Sequence, residues 1–402
     1  MIHSKYWDYV IIGSGIVGLS VARELYARKK ESSILIIEKE NAIGLHASGR
    51  NSGVLHSGIY YPEDSLKAKI CASGSILMSN YCKEKGLPIN RIGKIILPIN
   101  KNDDRQLELL YKRATTNNAS VEFIDSKHLK IIEPEVKSIT GNALFSPNTS
   151  VVDPKSIMLQ LQKDLEKKDI CFMFNAALKD IDIQNSTINI NNNHYQYGML
   201  INTAGQYSDK IAHMCDVGTQ YALIPFRGEY YKLKPDAQRI VNNLIYPVPN
   251  PSFPFLGVHF TRMIDGSVEC GPNAVFAFAK EGYNRSDFSS SDIWDCIKWP
   301  GFRKIITKYW KEGVGEYYRS IHKEAFVKAL QKLIPNIKSD DLIPGGSGVR
   351  AQACDINGNL LDDFDIRIDG NVIHVCNAPS PAATASLAIA ETISSYVVKL
   401  LK

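Results

Sequence analysis

The sequence contains no Cys-x-x-Cys pair: its eight cysteines stand singly at 71, 82, 171, 215, 270, 296, 354 and 376. That spacing argues against a structural zinc site or a thioredoxin-type redox pair, and free thiols in a reducing compartment fit it best. No run of about 18 apolar residues occurs, so no transmembrane helix is expected. A strand-like run is reached by Tyr9, which leaves no room for a signal or transit peptide. The expected location is therefore cytoplasmic. There is no basic block either. The 47 Lys and Arg against 42 Asp and Glu leave a charge of +5 spread along the chain, so no nucleic-acid partner is expected. No repeat of fixed period is present. What the chain does have is length, 402 residues, with 44% hydrophobic and 22% charged. That is enough for a full core and for two domains, or one large domain with an insertion.

Residues 8 to 38 carry the pattern of one βαβ unit. Asp8-Tyr-Val-Ile-Ile12 is a short β-branched run, Ile16, Leu19, Ala22 and Leu25 recur at helical spacing, and Ile34-Leu-Ile-Ile37 is a second strand. Such units build parallel sheets. Gly44 to Tyr61 shows no period and reads as a loop with one short helix at most. Helical patterning follows at 66–85 and 103–116, with short strands at 94–97 and 121–124. Asp153-Pro154 opens another helix, and Gly198 to Asn202 is a buried strand ending in Thr203-Ala-Gly205. Residues 216–340 look different: alternating runs and Pro-punctuated turns suggest antiparallel strands, with helices at 288–333. The expectation is an α/β protein with a Rossmann-like domain from 1–89, 150–215 and 340–402. A substrate domain of antiparallel sheet and helices is inserted as 90–149 and 216–339.

At the first strand-to-helix junction stands Gly13-Ser14-Gly15-Ile16-Val17-Gly18. Here the first glycine allows the tight turn, the second lets a pyrophosphate approach the backbone, and the third lets helix pack on strand. The phosphates would lie on the positive helix N-terminus. Glu38 closes the second strand 20 residues after Gly18, where a carboxylate accepts from ribose hydroxyls, with Lys39 beside it. This unit by itself does not separate FAD from NAD.

Longer strings do. His46-Ala-Ser-Gly-Arg-Asn-Ser-Gly-Val-Leu-His-Ser-Gly-Ile-Tyr-Tyr61, Pro225-Phe-Arg-Gly-Glu-Tyr230, Pro254-Phe-Leu-Gly-Val-His-Phe260, Gly271-Pro-Asn-Ala274, Gly348-Val-Arg-Ala-Gln352 and Asn377-Ala-Pro-Ser-Pro-Ala-Ala-Thr384 together resemble the L-2-hydroxyglutarate dehydrogenases/oxidases. That family is a branch of the FAD-dependent oxidoreductases that include D-amino-acid oxidase and glycerol-3-phosphate dehydrogenase. One departure is Arg50, where the family pattern has His. The resemblance implies extended FAD and oxidation of L-2-hydroxyglutarate to 2-oxoglutarate by hydride transfer from C2 to flavin N5; the alternatives are a flavin oxidoreductase acting on an amino acid, an amine or glycerol 3-phosphate, and a flavin-binding module without turnover. It places Ser48, Asn51, Ser52 and Gly53 near pyrophosphate and ribityl chain, the Leu178 backbone at adenine, and Ala204, Gly205 and Gly348 along the cofactor. Pro381, Ala382, Ala383 and Thr384 open a helix toward the flavin N1–C2=O edge, where its dipole favours developing negative charge. His46 is a candidate for covalent flavin attachment.

A 2-hydroxy diacid needs an arginine fork for carboxylate and a base of near-neutral pKa for its hydroxyl. Arg350 is the first choice for the fork and Arg227 the second, with pairing to Glu229 as the plainer reading of Arg227. His56 is the first choice for the base and His259 the second. Tyr61 bounds the pocket. No metal is expected. Reoxidation needs oxygen, a quinone or an electron-transfer protein. The Lys-rich stretch from Lys298 to Lys338, with Trp299, Phe302, Tyr309 and Trp310 interleaved, is a candidate peripheral contact with the inner membrane. An ordinary amphipathic helix pair is the simpler reading.

Overall fold

A computed structural model describes residues 5–250 and 256–401. Pro254 and Phe255 of the string ending at Phe260 lie outside the described residues. The first sheet, of eight strands, is centred on Tyr6–Ile12, flanked in parallel by Ile34–Ile37 and Asn193–Asn202. Both faces of this sheet are covered, which is why its strands read as near-continuous apolar runs. Tyr9 and Ile11 pack with Leu19, Ala22 and Ile389 on one side, while Val10 and Ile12 pack with Leu200 and Ile211 on the other. The opening helix Ile16–Arg28 and the C-terminal helix Ala382–Leu400 lie together on the first of these faces.

The second sheet has nine strands, mostly antiparallel. Lys94–Leu97 runs parallel to Leu244–Pro247, which pairs with His259–Arg262, and that with Val268–Gly271. Ile95, Ile245 and Phe260 bury one face against Phe326 and Leu330. Side chains alternate along a strand, so their neighbours Lys94, Tyr246 and His259 project from the opposite face. A three-stranded sheet of Val54–Leu55, Ser150–Val152 and Ile89–Arg91 stands apart from the two larger ones.

Strands of the first sheet fall within 6–37, 171–202 and 365–377, and those of the second within 94–146, 221–276 and 342–355. Leu342–Asp355, placed with the cofactor domain by the boundary at 340, pairs along Tyr221–Leu233 in the second sheet. The glycines at 345, 346 and 348 made this run look like a return to the first architecture. Its partner strand, more than a hundred residues away, decides its sheet.

Candidate functional site

The glycine-rich turn has the contacts that its residue types require. Gly13 has φ +98°, and a Cβ there would lie 2.8 Å from the Thr203 carbonyl oxygen. At Gly18 a Cβ would meet the Gly13 carbonyl oxygen at 2.1 Å and Thr203 Oγ1 at 2.7 Å, so helix and strand touch only because both positions are bare. Gly15 caps the helix without a side-chain hydrogen bond of its own. Ser48, from the 3-10 turn Ala47–Gly49, accepts from the Ile16 N–H at 3.0 Å. Val17 is half-buried beside it. The Glu38 carboxylate accepts from the Ser14 N–H at 2.9 Å and the Ser14 hydroxyl at 2.8 Å, which fixes it beside the turn with lone pairs to spare. Ala176 N–H donates to the Glu38 carbonyl, so the chain leading to Leu178 runs past the same edge. Ala204 follows Thr203, whose hydroxyl donates to the Ile12 carbonyl at 2.8 Å, and Gly205 turns the chain at φ +58°.

Asn51 is occupied locally. Its amide donates to the Ser48 carbonyl at 2.6 Å and its carbonyl accepts from Gly53 N–H at 3.0 Å, an Asx-type turn that holds the loop. Ser52 is half-buried next to it. A groove lined by Ile16, Asn51, Gly53, Leu55, Ala383 and Thr384 joins the opening helix to the start of the C-terminal helix. There the Thr384 hydroxyl donates to the Val54 carbonyl at 3.0 Å and accepts from the His56 N–H at 3.2 Å. Pro381 caps this helix without a side-chain bond, and Ala382 and Ala383 open it. His56 is thus pinned by its backbone to a helix N-terminus.

Around His56, which follows the strand Val54–Leu55 of the three-stranded sheet, the second sheet brings together residues from distant parts of the chain. Its Nδ1 is buried without a hydrogen-bond partner among the described residues, and its pKa lies well below the ordinary value because of burial, reinforced by Lys94, His259 and Arg350. His259 Nδ1 donates to the Gly257 carbonyl at 2.9 Å, and the ring stacks on Tyr246 with centroids 3.8 Å apart. A carbonyl only accepts, so Nδ1 carries the proton and Nε2 holds the free lone pair. Burial brings His259 down to about 3. Arg350 is exposed, interacts with Tyr230, and forms no ion pair among the described residues. Tyr61 is buried beside Cys71, with the Lys67 ammonium 5.5 Å from its ring.

Arg227 is not brought into this cluster. It is buried and bound to Glu229 at 3.1 and 3.0 Å, with its remaining donors on the Gly282 and Asn284 carbonyls. Strand alternation turns it away from Arg350, which pairs with Phe226. Gly348 faces Gly228, and a Cβ on it would meet the Arg50 carbonyl oxygen at 2.7 Å. Arg50 itself lies on the Tyr283 ring at 3.7 Å. Both ring nitrogens of His46 are engaged, Nδ1 with the Tyr283 hydroxyl and Nε2 with Glu40. Glu40, His46 and Glu281 converge, but the Lys39 ammonium pairs with both carboxylates and supplies their counter-charge.

Comparison with known proteins places the chain. The family described as FAD dependent oxidoreductase matches residues 8–396. The L-2-hydroxyglutarate dehydrogenase of Indibacter alkaliphilus is 45% identical over 98% of this chain and 99% of its own. That of Escherichia coli K12 is 36% identical over 98% and 94%. The chain belongs to the L-2-hydroxyglutarate dehydrogenase family of FAD-dependent oxidoreductases. Among solved structures, L-alpha-glycerophosphate oxidase from Mycoplasma pneumoniae superposes with a TM-score of 0.77 at 21% identity, covering 98% of this chain and 94% of that one. Glycine oxidase from Geobacillus kaustophilus gives 0.75 at 14%, covering 98% and 95%. These two show the fold.

Within this family the residues present fit FAD. The uncapped helix start at Gly15, the bare approach there and the groove running on to Thr384 form one continuous track. Sequence reasoning missed two residues beside His56 and His259, namely Lys94 and Tyr246. Lys94 is 1% exposed, with its ammonium 4.4 Å from the Tyr246 ring and 5.2 Å from the Tyr60 ring. A lysine opening a short strand reads as solvated, and only the pairing of Lys94–Leu97 with Leu244–Pro247 shows that it faces inward.

Proposed function

We propose that this chain oxidises L-2-hydroxyglutarate to 2-oxoglutarate. The observation that carries the reading is a cluster of two cations, Lys94 and Arg350, and two neutral imidazoles, His56 and His259, with no carboxylate paired to either cation among the described residues. Such a site invites a dianionic substrate with an ionisable hydroxyl. Bound FAD supplies the two-electron acceptor for the substrate C2–H bond.

Arg350 holds the C1 carboxylate through its fork. His56 takes the hydroxyl proton as the C2–H bond breaks, because its neutral ring has an unfilled acceptor. The incoming negative charge raises its pKa, strengthening it as a base once substrate is bound. His259 and Tyr61 bound the pocket. The N–H groups of Ala383 and Thr384 stabilise the negative charge that accompanies reduction. Arg227 holds Glu229 and the turn at 282–284.

The electrons must leave to oxygen, a quinone or an electron-transfer protein. No helix among the described residues is long and apolar enough to cross a membrane. An exposed apolar row on the helices Ser290–Lys298 and Pro300–Ile321 favours an acceptor met at a membrane surface by a cytoplasmic protein. Trp294, Ile306, Trp310, Val314 and Ile321 are each at least half exposed, and Lys298, Lys308 and Lys311 lie among them. Trp299 and Phe302 instead turn inward, Trp299 donating to the Cys354 carbonyl. Cosedimentation of the holoenzyme with anionic vesicles, reduced by Trp310→Glu, supports the contact, and no binding removes it. For the reaction, anaerobic addition of L-2-hydroxyglutarate should bleach the flavin, while the D-enantiomer, glycerol 3-phosphate and glycine should not. Bleaching by one of the latter alone would move the chain to another substrate.

A further inference from the structure

Lys94 is an anomalous charge. It is fully buried, yet it has no ion pair and no hydrogen bond among the described residues, only the faces of Tyr60 and Tyr246. Two further polar groups in the same cluster also lack hydrogen-bond partners among the described residues: the Tyr60 hydroxyl and His56 Nδ1. An unpaired buried ammonium destabilises a fold and is retained where a ligand completes it. Other buried lysines here are completed by protein. Lys67 pairs with Asp362 at 2.6 Å, and Lys280 with Asp209 at 3.1 Å.

We infer that Lys94 and the Tyr60 hydroxyl receive the distal carboxylate of the substrate, and that Lys94 sets the preference for a dicarboxylic over a monocarboxylic 2-hydroxy acid. The inference rests on the function proposed above. Arg350 projects from the strand Leu342–Asp355 and Lys94 from Lys94–Leu97, on different stretches of one sheet. Both act electrostatically on His56. The hydroxyl-bearing carbon of a five-carbon diacid held between the two cations then falls to the imidazole. The aromatic walls of Tyr60 and Tyr246 exclude water from the ammonium, which strengthens its attraction for a carboxylate and makes a methyl group a poor substitute.

The test uses the FAD-loaded enzyme and two substrates of equal chain length, L-2-hydroxyglutarate and L-2-hydroxyvalerate, which lacks the distal carboxylate. Lys94→Met should lower the ratio of their kcat/KM values by about thirtyfold or more, acting on the diacid. Thermal-shift titration with glutarate, which cannot react, should show the stabilisation of wild type and its loss in the variant. The ligand-free variant should melt no lower than wild type, since an unpaired charge has gone. Should Lys94→Met fail to hold FAD, Lys94→Gln carries the same measurements.

Wild type offers an independent arm. Burial lowers Lys94 to about 7, so the diacid-to-monoacid ratio should fall as pH rises from 7 to 9. Of the groups that face it, His56 and His259 are already neutral there, while burial raises Cys71 to about 12 and Tyr60, Tyr61 and Tyr246 above their ordinary values. Arg350 stays charged, and Lys67 is held by Asp362. Equal losses on both substrates, a loss confined to flavin reoxidation, or a ratio flat with pH would each overturn the assignment. If wild type is not reduced by L-2-hydroxyglutarate at all, the functional reading has failed instead.

Discussion

Two glycines three residues apart should fail in opposite ways, because one is bare for the protein and the other for the cofactor. At Gly18 a Cβ would sit 2.1 Å from the Gly13 carbonyl oxygen and 2.7 Å from Thr203 Oγ1. Gly13 and Thr203 directly follow the paired strands Tyr6–Ile12 and Asn193–Asn202 and are hydrogen-bonded to Ile37 and Ile12, so Gly18→Ala must push the opening helix off the strands. Overpacking of that kind costs about 1–3 kcal/mol, felt by apoprotein and holoenzyme alike. Gly15 has φ −71° and ψ 173°, a conformation alanine adopts freely, and its Cβ would meet only the Ser48 hydroxyl at 3.0 Å. Gly15→Ala should leave the apoprotein unchanged or about 0.5 kcal/mol more stable. The methyl group would nevertheless stand where the pyrophosphate approaches. A loss of about a hundredfold in FAD affinity removes about 2.7 kcal/mol of ligand-linked stabilisation. Thermal melts of both variants with and without FAD, and flavin-fluorescence titration, separate the effects. Wild-type FAD affinity in Gly15→Ala, or an unperturbed apoprotein in Gly18→Ala, would refute the reasoning.

His56→Ala should slow anaerobic flavin reduction by about a hundredfold or more while FAD is retained, and an unchanged rate would put the base elsewhere. Because burial lowers the pKa of His56, the acid limb of kcat/KM should lie below the ordinary histidine value, activity being lost only as pH falls through that lowered pKa. Arg350→Lys should lower kcat/KM by about tenfold or more, through the lost fork. His374 is wholly buried, with burial lowering it to about 4. Its unfolded value is higher, so unfolding takes up a proton. Its contribution is present above about pH 6.5 and is lost toward pH 4, on the order of 3 kcal/mol. Melts across that window should show the slope, and His374→Leu should flatten it. With both His46 nitrogens engaged, denatured holoenzyme should release all its flavin, as ultrafiltration after acid precipitation would reveal.

Local features were legible from residues alone. Ile16–Arg28 is helical where Ile16, Leu19, Ala22 and Leu25 recur at helical spacing, and Tyr6–Ile12 and Ile34–Ile37 form the expected parallel pair. Periodicity and capping act within a few residues of chain, so sequence carries them directly. Long-range pairing is another matter. Nothing local in the glycine-rich run 345–348 says that it joins Tyr221–Leu233, and nothing in Lys94-Ile-Ile-Leu97 says which face is buried. Arg227 and Arg350 both occur in specific strings of similar appearance. Only the Glu229 pair and the opposite strand face distinguish them.

The most direct measurement is the visible spectrum of the purified holoenzyme, followed without oxygen during addition of L-2-hydroxyglutarate. The account predicts loss of the oxidised flavin band with 2-oxoglutarate formed one-for-one, and no change with the D-enantiomer. A flavin that stays oxidised in excess L-acid, while another donor bleaches it, would contradict the account.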